Sequence, residues 1–153
     1  MAKTKYGRHL VRGPFFENLG GGYDGVSIWA HHDEYNAGIS LGYHCIHNTE
    51  YAHMEPHTHD FHELLCFFGG NPKNINDFGA EVHICLGEEL EEHIITSPTV
   101  VSIPPGLVHC PLTIKKCDKP IVMLEVSTTK EYKIIDLPKT DEAKVAEEKP
   151  GEK

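Results

Sequence analysis

Between residues 26 and 126 the apolar side chains neither run long nor recur with the 3.6-residue period of a helix. They fall into short stretches rich in β-branched and aromatic residues, each closed by Gly, Pro, Asn or Asp. Such a pattern predicts many short strands, at residues 26–30, 38–46, 63–68, 81–86, 93–95, 100–103, 112–114 and 121–127. Strands of that length bury an apolar face only by closing on one another, so the expected class is all-β, a sandwich or barrel. The strand aromatics Trp29, Tyr43, Phe67 and Phe68 are expected to pack its interior.

The flanks read differently. Gly13-Pro14 and the run Gly20-Gly21-Gly22 break any period over residues 1–25, which are expected to form an irregular arm. After Leu137-Pro138 the chain turns to Lys, Glu and Ala, so residues 138–153 are expected to be a disordered charged tail. Three regions follow: arm 1–25, barrel 26–137 and tail 138–153. At 153 residues the chain is long enough for one domain with its own core.

Fourteen Lys and Arg stand against 23 Asp and Glu, a formal charge of -9, and no basic cluster interrupts that balance. A phosphate backbone would find nothing to track, so no nucleic-acid partner is expected. No stretch has the apolar length of a signal peptide or a membrane span, so a soluble, cytoplasmic protein with no membrane partner is expected. The five cysteines, Cys45, Cys66, Cys85, Cys110 and Cys117, are odd in number and never spaced Cys-x-x-Cys. That argues against a disulfide framework and a thiolate zinc site, and leaves small buried hydrophobes, with Cys110 set apart by its neighbour His109.

Histidine is the outlier. There are 12, and His53, His57, His59 and His62 fall within one ten-residue stretch. In extended chain His57 and His59 share a face, and Glu63 can return to it. The run Pro104-Pro105-Gly106 ahead of His109 predicts a turn that could present a third imidazole to the same place. Imidazole nitrogens with one carboxylate suit Fe, Mn, Ni, Co or Zn, whereas Mg and Ca would demand more oxygen. Four protein ligands on a five- or six-coordinate ion leave room for a substrate.

These residues resemble the two motifs of the cupin superfamily, G-x5-H-x-H-x3,4-E-x6-G and G-x5-P-x-G-x2-H-x3-N. His57, His59, Glu63 and Gly70 match the first; Pro104, Gly106 and His109 match the second. Tyr51 and Pro98 replace the opening glycines and Thr113 the closing asparagine. The resemblance, over about residues 38–127, implies a single cupin (double-stranded β-helix, or jelly-roll) barrel, one divalent transition metal on His57, His59, Glu63 and His109, and a homodimer. Similar cupins include dioxygenases, decarboxylases, lyases and isomerases, and no motif selects among them. An enzyme acting on an oxygen-bearing small molecule is the first expectation, a non-catalytic ligand-binding module the second, and a purely structural metal the third.

Lyase or isomerase chemistry would need an acid or base besides the metal, for which Tyr43, Glu55, His53 and Cys110 are candidates. His53 and Glu55 also share the phase of His57, although Pro56 interrupts the ladder. His62 is expected to face away from the site, His31 and His32 to lie at the surface, and His44 and His83 to face either side. The turn-rich loop 69–79 could close over the cavity mouth.

Overall fold

The structure, a computed structural model, describes residues 5–10, 27–30 and 32–137. The tail 138–153, His31 and all of the arm except residues 5–10 lie outside the described residues, so the expectations placed on them are not addressed. Within the arm, Gly7–His9 form a 3-10 turn.

Eleven strands follow among the described residues: β1 (Ser27–Ala30), β2 (Ser40–Ile46), β3 (Ala52–His53), β4 (His57–Thr58), β5 (Glu63–Gly69), β6 (Ala80–Leu86), β7 (Glu91–Ile95), β8 (Thr99–Ile103), β9 (His109–Cys117), β10 (Ile121–Ser127) and β11 (Ile135–Asp136). One four-residue helical turn, α1 (His32–Tyr35), separates β1 from β2. The first sheet runs β1-β2-β10-β5-β8 and the second β11-β4-β9-β6-β7, with β3 paired to β9. Every pairing is antiparallel.

Alternation along each strand decides what lies between the sheets. In β10, Ile121, Met123, Glu125 and Ser127 are buried while Val122, Leu124 and Val126 keep partial exposure. Phe67, Ile103, Ile121 and Met123 from the first sheet meet Val82, Ile84, Leu112 and Ile114 from the second, each at most 3% exposed. The same period corrects one expectation. Phe67 and Phe68 are neighbours and cannot both point inward: Phe67 is fully buried, Phe68 is exposed, and Tyr43 lies half-buried in the outward phase of β2.

Two features place the functional residues. The chain changes sheets between β4 and β5, so His57 and Glu63 belong to opposite walls of the sandwich rather than to one continuous strand. The segment 128–136 then returns from β10 to pair Ile135–Asp136 with His57–Thr58. Loop 69–79 does not approach the mouth: it follows Gly69 at the far end of β5, about 20 Å from Glu63 at a rise of ~3.3 Å per residue. It is tied down there by Lys119 and Asp77, whose Nζ and carboxylate oxygens are 2.6 and 2.7 Å apart.

Candidate metal centre

β4 is only two residues long, yet its extended backbone is enough to turn His57 and His59 to the same side, each 2% exposed. His109 opens β9 and pairs directly with His57. It is delivered by the turn at residues 104–107, closed by the Leu107 N–H on the Pro104 carbonyl at 3.1 Å. The Gly106 N–H docks that turn on the His59 carbonyl at 2.8 Å. One ligand nitrogen from each of the three histidines lies within 4.8 Å of the other two. From the other sheet, Glu63 brings Oε2 to 3.4 Å from His109 Nε2 and 3.7 Å from His59 Nε2.

Each imidazole is aimed by a backbone carbonyl. His57 Nδ1 is 2.9 Å from the Glu55 carbonyl, His59 Nδ1 2.6 Å from that of Lys133 and His109 Nδ1 3.1 Å from that of Leu107. A carbonyl only accepts, so these partners assign the proton to Nδ1 and leave a lone pair on each Nε2. Three nitrogen lone pairs and a carboxylate oxygen therefore converge, none of the four atoms carrying a proton of its own. His57 Nε2 is buried and without a hydrogen-bond partner, a state that ordinarily costs about 1–3 kcal/mol. A cation relieves both the repulsion and the orphaned acceptor, and the nitrogen-rich donor set fits a divalent transition metal.

Charge states agree with that fit. Burial lowers His57 to about 4, against the Glu55 carbonyl and helped by its imidazole neighbours. It also lowers His59, opposed by the Lys133 carbonyl and Glu63, and His53, with His109 adding. Neutral imidazole is the form that ligates. Burial alone would raise Glu63, but the neighbouring imidazoles of His109 and His59 and a hydrogen bond from Glu125 hold it below the usual range. Glu125 moves the opposite way: burial, then the charge and hydrogen bond of Glu63, push it well above that range. The pair therefore keeps one proton on Glu125 and the charge on Glu63. Ser127 Oγ donates to the other Glu63 oxygen at 3.4 Å.

The cavity beside these groups, about 30 Å³, is lined by His53, His57, Glu63, His109, Cys110, Glu125 and Tyr132 over an apolar wall of Tyr51, Leu65, Leu112 and Met123. Burial, with Glu63 and Glu125 adding, pushes the Cys110 thiol up to about 12, so it stays protonated.

The structure thus brings together His57, His59, Glu63 and His109, and sets His53 on the cavity wall with its ring 4.7 Å from that of His57. It does not bring Tyr43 or the Glu55 side chain there. The Tyr43 hydroxyl accepts from Cys45 Sγ at 3.5 Å, a contact that, ahead of burial, raises its pKa. Glu55 is exposed and contributes only its carbonyl. His62 bonds Ser102 Oγ at 2.7 Å. His32 Nδ1 accepts the Gly38 N–H at 2.9 Å, and His83 lies between Glu81 and Glu92. His44 is fully buried, 4.0 Å from Glu125.

Two residues of the cavity escaped the sequence reading. Glu125 carried a signal, being a carboxylate in the inward phase of an otherwise apolar strand. Tyr132 carried none beyond an aromatic ring in a polar run.

No family model matches the chain, and no curated protein matches it. Solved structures do. An oxalate decarboxylase superposes with a TM-score of 0.52 at 17% identity, over 82% of this chain and 30% of that one. An oxalate oxidase gives 0.50 at 13%, over 73% and 54%. An oxalate decarboxylase of Bacillus subtilis, studied for its Mn(II) centres, gives 0.51 at 14%, over 79% and 32%. The chain thus spans about a third to a half of these proteins, and what it shares with them is the cupin fold. No helix among the described residues is long and apolar enough to cross a membrane.

Proposed function

We propose that the chain is a metal-dependent cupin acting on an oxygen-bearing small molecule, with His57, His59, His109 and Glu63 holding one divalent transition metal. The observation that carries this reading is the convergence of three carbonyl-oriented Nε2 atoms and one ionised carboxylate on a single point. When bound, such a metal supplies Lewis acidity that polarises an oxygen of the ligand beside it.

The chain's own residues do the rest. The carbonyls of Glu55, Leu107 and Lys133 fix the imidazole rings, so no ring reorients when the ion enters. Glu125 holds its proton at the cavity wall and steadies Glu63 by hydrogen bonding. Leu65, Leu112 and Met123 exclude water from one side. A cavity of about 30 Å³ holds little more than an ion or a water or two, which disfavours a sugar or nucleotide there. Oxalate is the first carboxylate to try and manganese the first metal, given the solved structures that share the fold.

The test is elemental analysis of protein purified without a metal-affinity tag, beside His57→Ala and His109→Ala. About one transition metal per chain, lost in both variants, is expected. A metal-free wild type that takes up no manganese, iron, cobalt, nickel or zinc overturns the reading.

A non-catalytic binding module is the second reading. It is favoured by the scarcity of free bases among the described residues of the cavity, where Glu125 and Cys110 both hold their protons and, the metal ligands aside, His53 is left. Metal-loaded protein that binds a small carboxylate without releasing any product would select it.

A further inference from the structure

The last segment of the barrel, residues 128–136, closes one side of the cavity and is fastened at several points along its length. The Thr128 N–H donates to the His62 carbonyl at 2.9 Å, the Lys133 carbonyl accepts from His59 Nδ1 at 2.6 Å, and Ile135–Asp136 pair with β4. Between these fastenings Tyr132 turns inward. Its ring packs against those of His59, Trp29 and Phe61, with centroids 4.9, 5.4 and 5.7 Å away. That aromatic contact on several sides holds the phenol in one place.

Its hydroxyl lies 3.3 Å from His59 Nε2. Because His59 Nδ1 already donates to Lys133, Nε2 is the acceptor and the phenol the donor. The same lone pair is the one offered to a metal, and a lone pair cannot serve both. Once an ion is held, the phenol O–H loses this acceptor, yet its ring remains clamped beside the ligating nitrogen, facing the cavity.

We infer that Tyr132 donates a hydrogen bond to an anionic oxygen of the ligand bound beside the metal, and so selects small carboxylates over ligands without such an oxygen. The inference rests on the metal reading above. Its chemistry is that of a neutral donor meeting a charged acceptor out of bulk water, among the stronger hydrogen bonds a protein makes. The other hydroxyl on the cavity wall, that of Tyr51, belongs to a residue packed into the hydrophobic core.

The test compares cobalt(II)-loaded wild type with Tyr132→Phe, which keeps the ring and its packing. Acetate and imidazole are titrated in turn and read by the visible spectrum of the metal. Both probes can ligate cobalt, but only acetate leaves an anionic oxygen for the phenol. Acetate is expected to bind about 10- to 100-fold more weakly to the variant, with imidazole unchanged and cobalt held as tightly or more so, since the phenol no longer competes for His59 Nε2.

Equal loss of both probes makes Tyr132 a packing residue and overturns the inference, as does no loss of either. Failure of the variant to hold cobalt overturns it too, because the phenol would then be supporting the ion itself. Failure of the wild type to hold any metal brings down the metal reading, and the inference with it.

Discussion

His57 and His109 stand directly opposite each other across the β4–β9 ladder, with ring centroids 4.2 Å apart, and both have their Nδ1 protons committed to backbone carbonyls. Two buried imidazoles in contact, both offering lone pairs to the same space, are an unfavourable arrangement that the surrounding fold must carry. The fold can do so, because the core around Phe67, Val82 and Ile84 extends well beyond the cavity lining. Chelation is therefore expected to lower the thermal midpoint without unfolding the protein. A metal at about one hundred times its dissociation constant should restore roughly 2.7 kcal/mol, or about 5–10 °C for a chain of this size. Calorimetry with and without chelator checks this. An unfolded apo-protein would instead identify the ion as a structural staple.

The pH dependence of the metal-free protein follows from burial. His44 and His57 are both lowered from their ordinary value of 6.5 to about 4 by desolvation. Below 6.5 the unfolded chain binds protons that the folded chain refuses. Stability is therefore complete above pH 6.5 and falls as the pH drops toward 4, by up to about 3 kcal/mol for each histidine. Denaturant midpoints measured between pH 7 and 4 in chelator should show this slope. Replacing His44 with Gln should flatten it only in part, since His53, His57 and His59 are lowered too, and an unchanged slope in that variant would remove His44 from the account.

Glu125 and Glu63 share a single proton, and the direction of the sharing predicts an asymmetry between two isosteric substitutions. Glu125→Gln preserves shape, neutrality and a donor toward Glu63, so stability should change by less than about 1 kcal/mol with metal content intact. Glu63→Gln removes the ionised oxygen and should abolish metal binding. Glu125→Ala, which empties a buried position, should cost about 2–4 kcal/mol. Metal analysis and denaturant curves on the three variants separate these outcomes. A large loss on Glu125→Gln would mean that this residue carries the charge instead.

The strands were legible because their signal is local. Each of the eight expected from apolar runs exists, and 121–127 matches β10 to the residue. β3, β4 and β11 were not legible: at two residues each, and held by tertiary pairing, they leave no period to read. The cluster of His57, His59, Glu63 and His109 could be read from spacing alone, yet the reason it converges could not. Alternation along one strand accounts for His57 and His59, whereas Glu63 arrives from the opposite sheet after the chain crosses at residues 60–62. Tyr132 lay hidden for a related reason. It reaches the site through long-range fastenings of a polar segment, none of which is written in its neighbours.

The closing glycine of the first motif is the last point on which sequence and structure differ. Spacing from Glu63 selects Gly70, but a side chain there would meet only the Pro120 carbonyl, at an ordinary 3.4 Å. Gly69, paired with Ile121, is the position with no room: a Cβ would fall into the carbonyl of Asp77, with Phe78 Cα 3.1 Å away. Asp77 cannot yield easily, since its carboxylate is held by Asn71 at 2.8 Å and by Lys119. Gly69→Ala should therefore displace the returning loop and cost about 1–3 kcal/mol, while Gly70→Ala should stay within about 0.5 kcal/mol of wild type. Because Gly69 lies about 20 Å of strand from Glu63, neither variant should alter metal content. Denaturant midpoints decide between the two glycines, and a larger loss at Gly70 would restore the position that spacing chose.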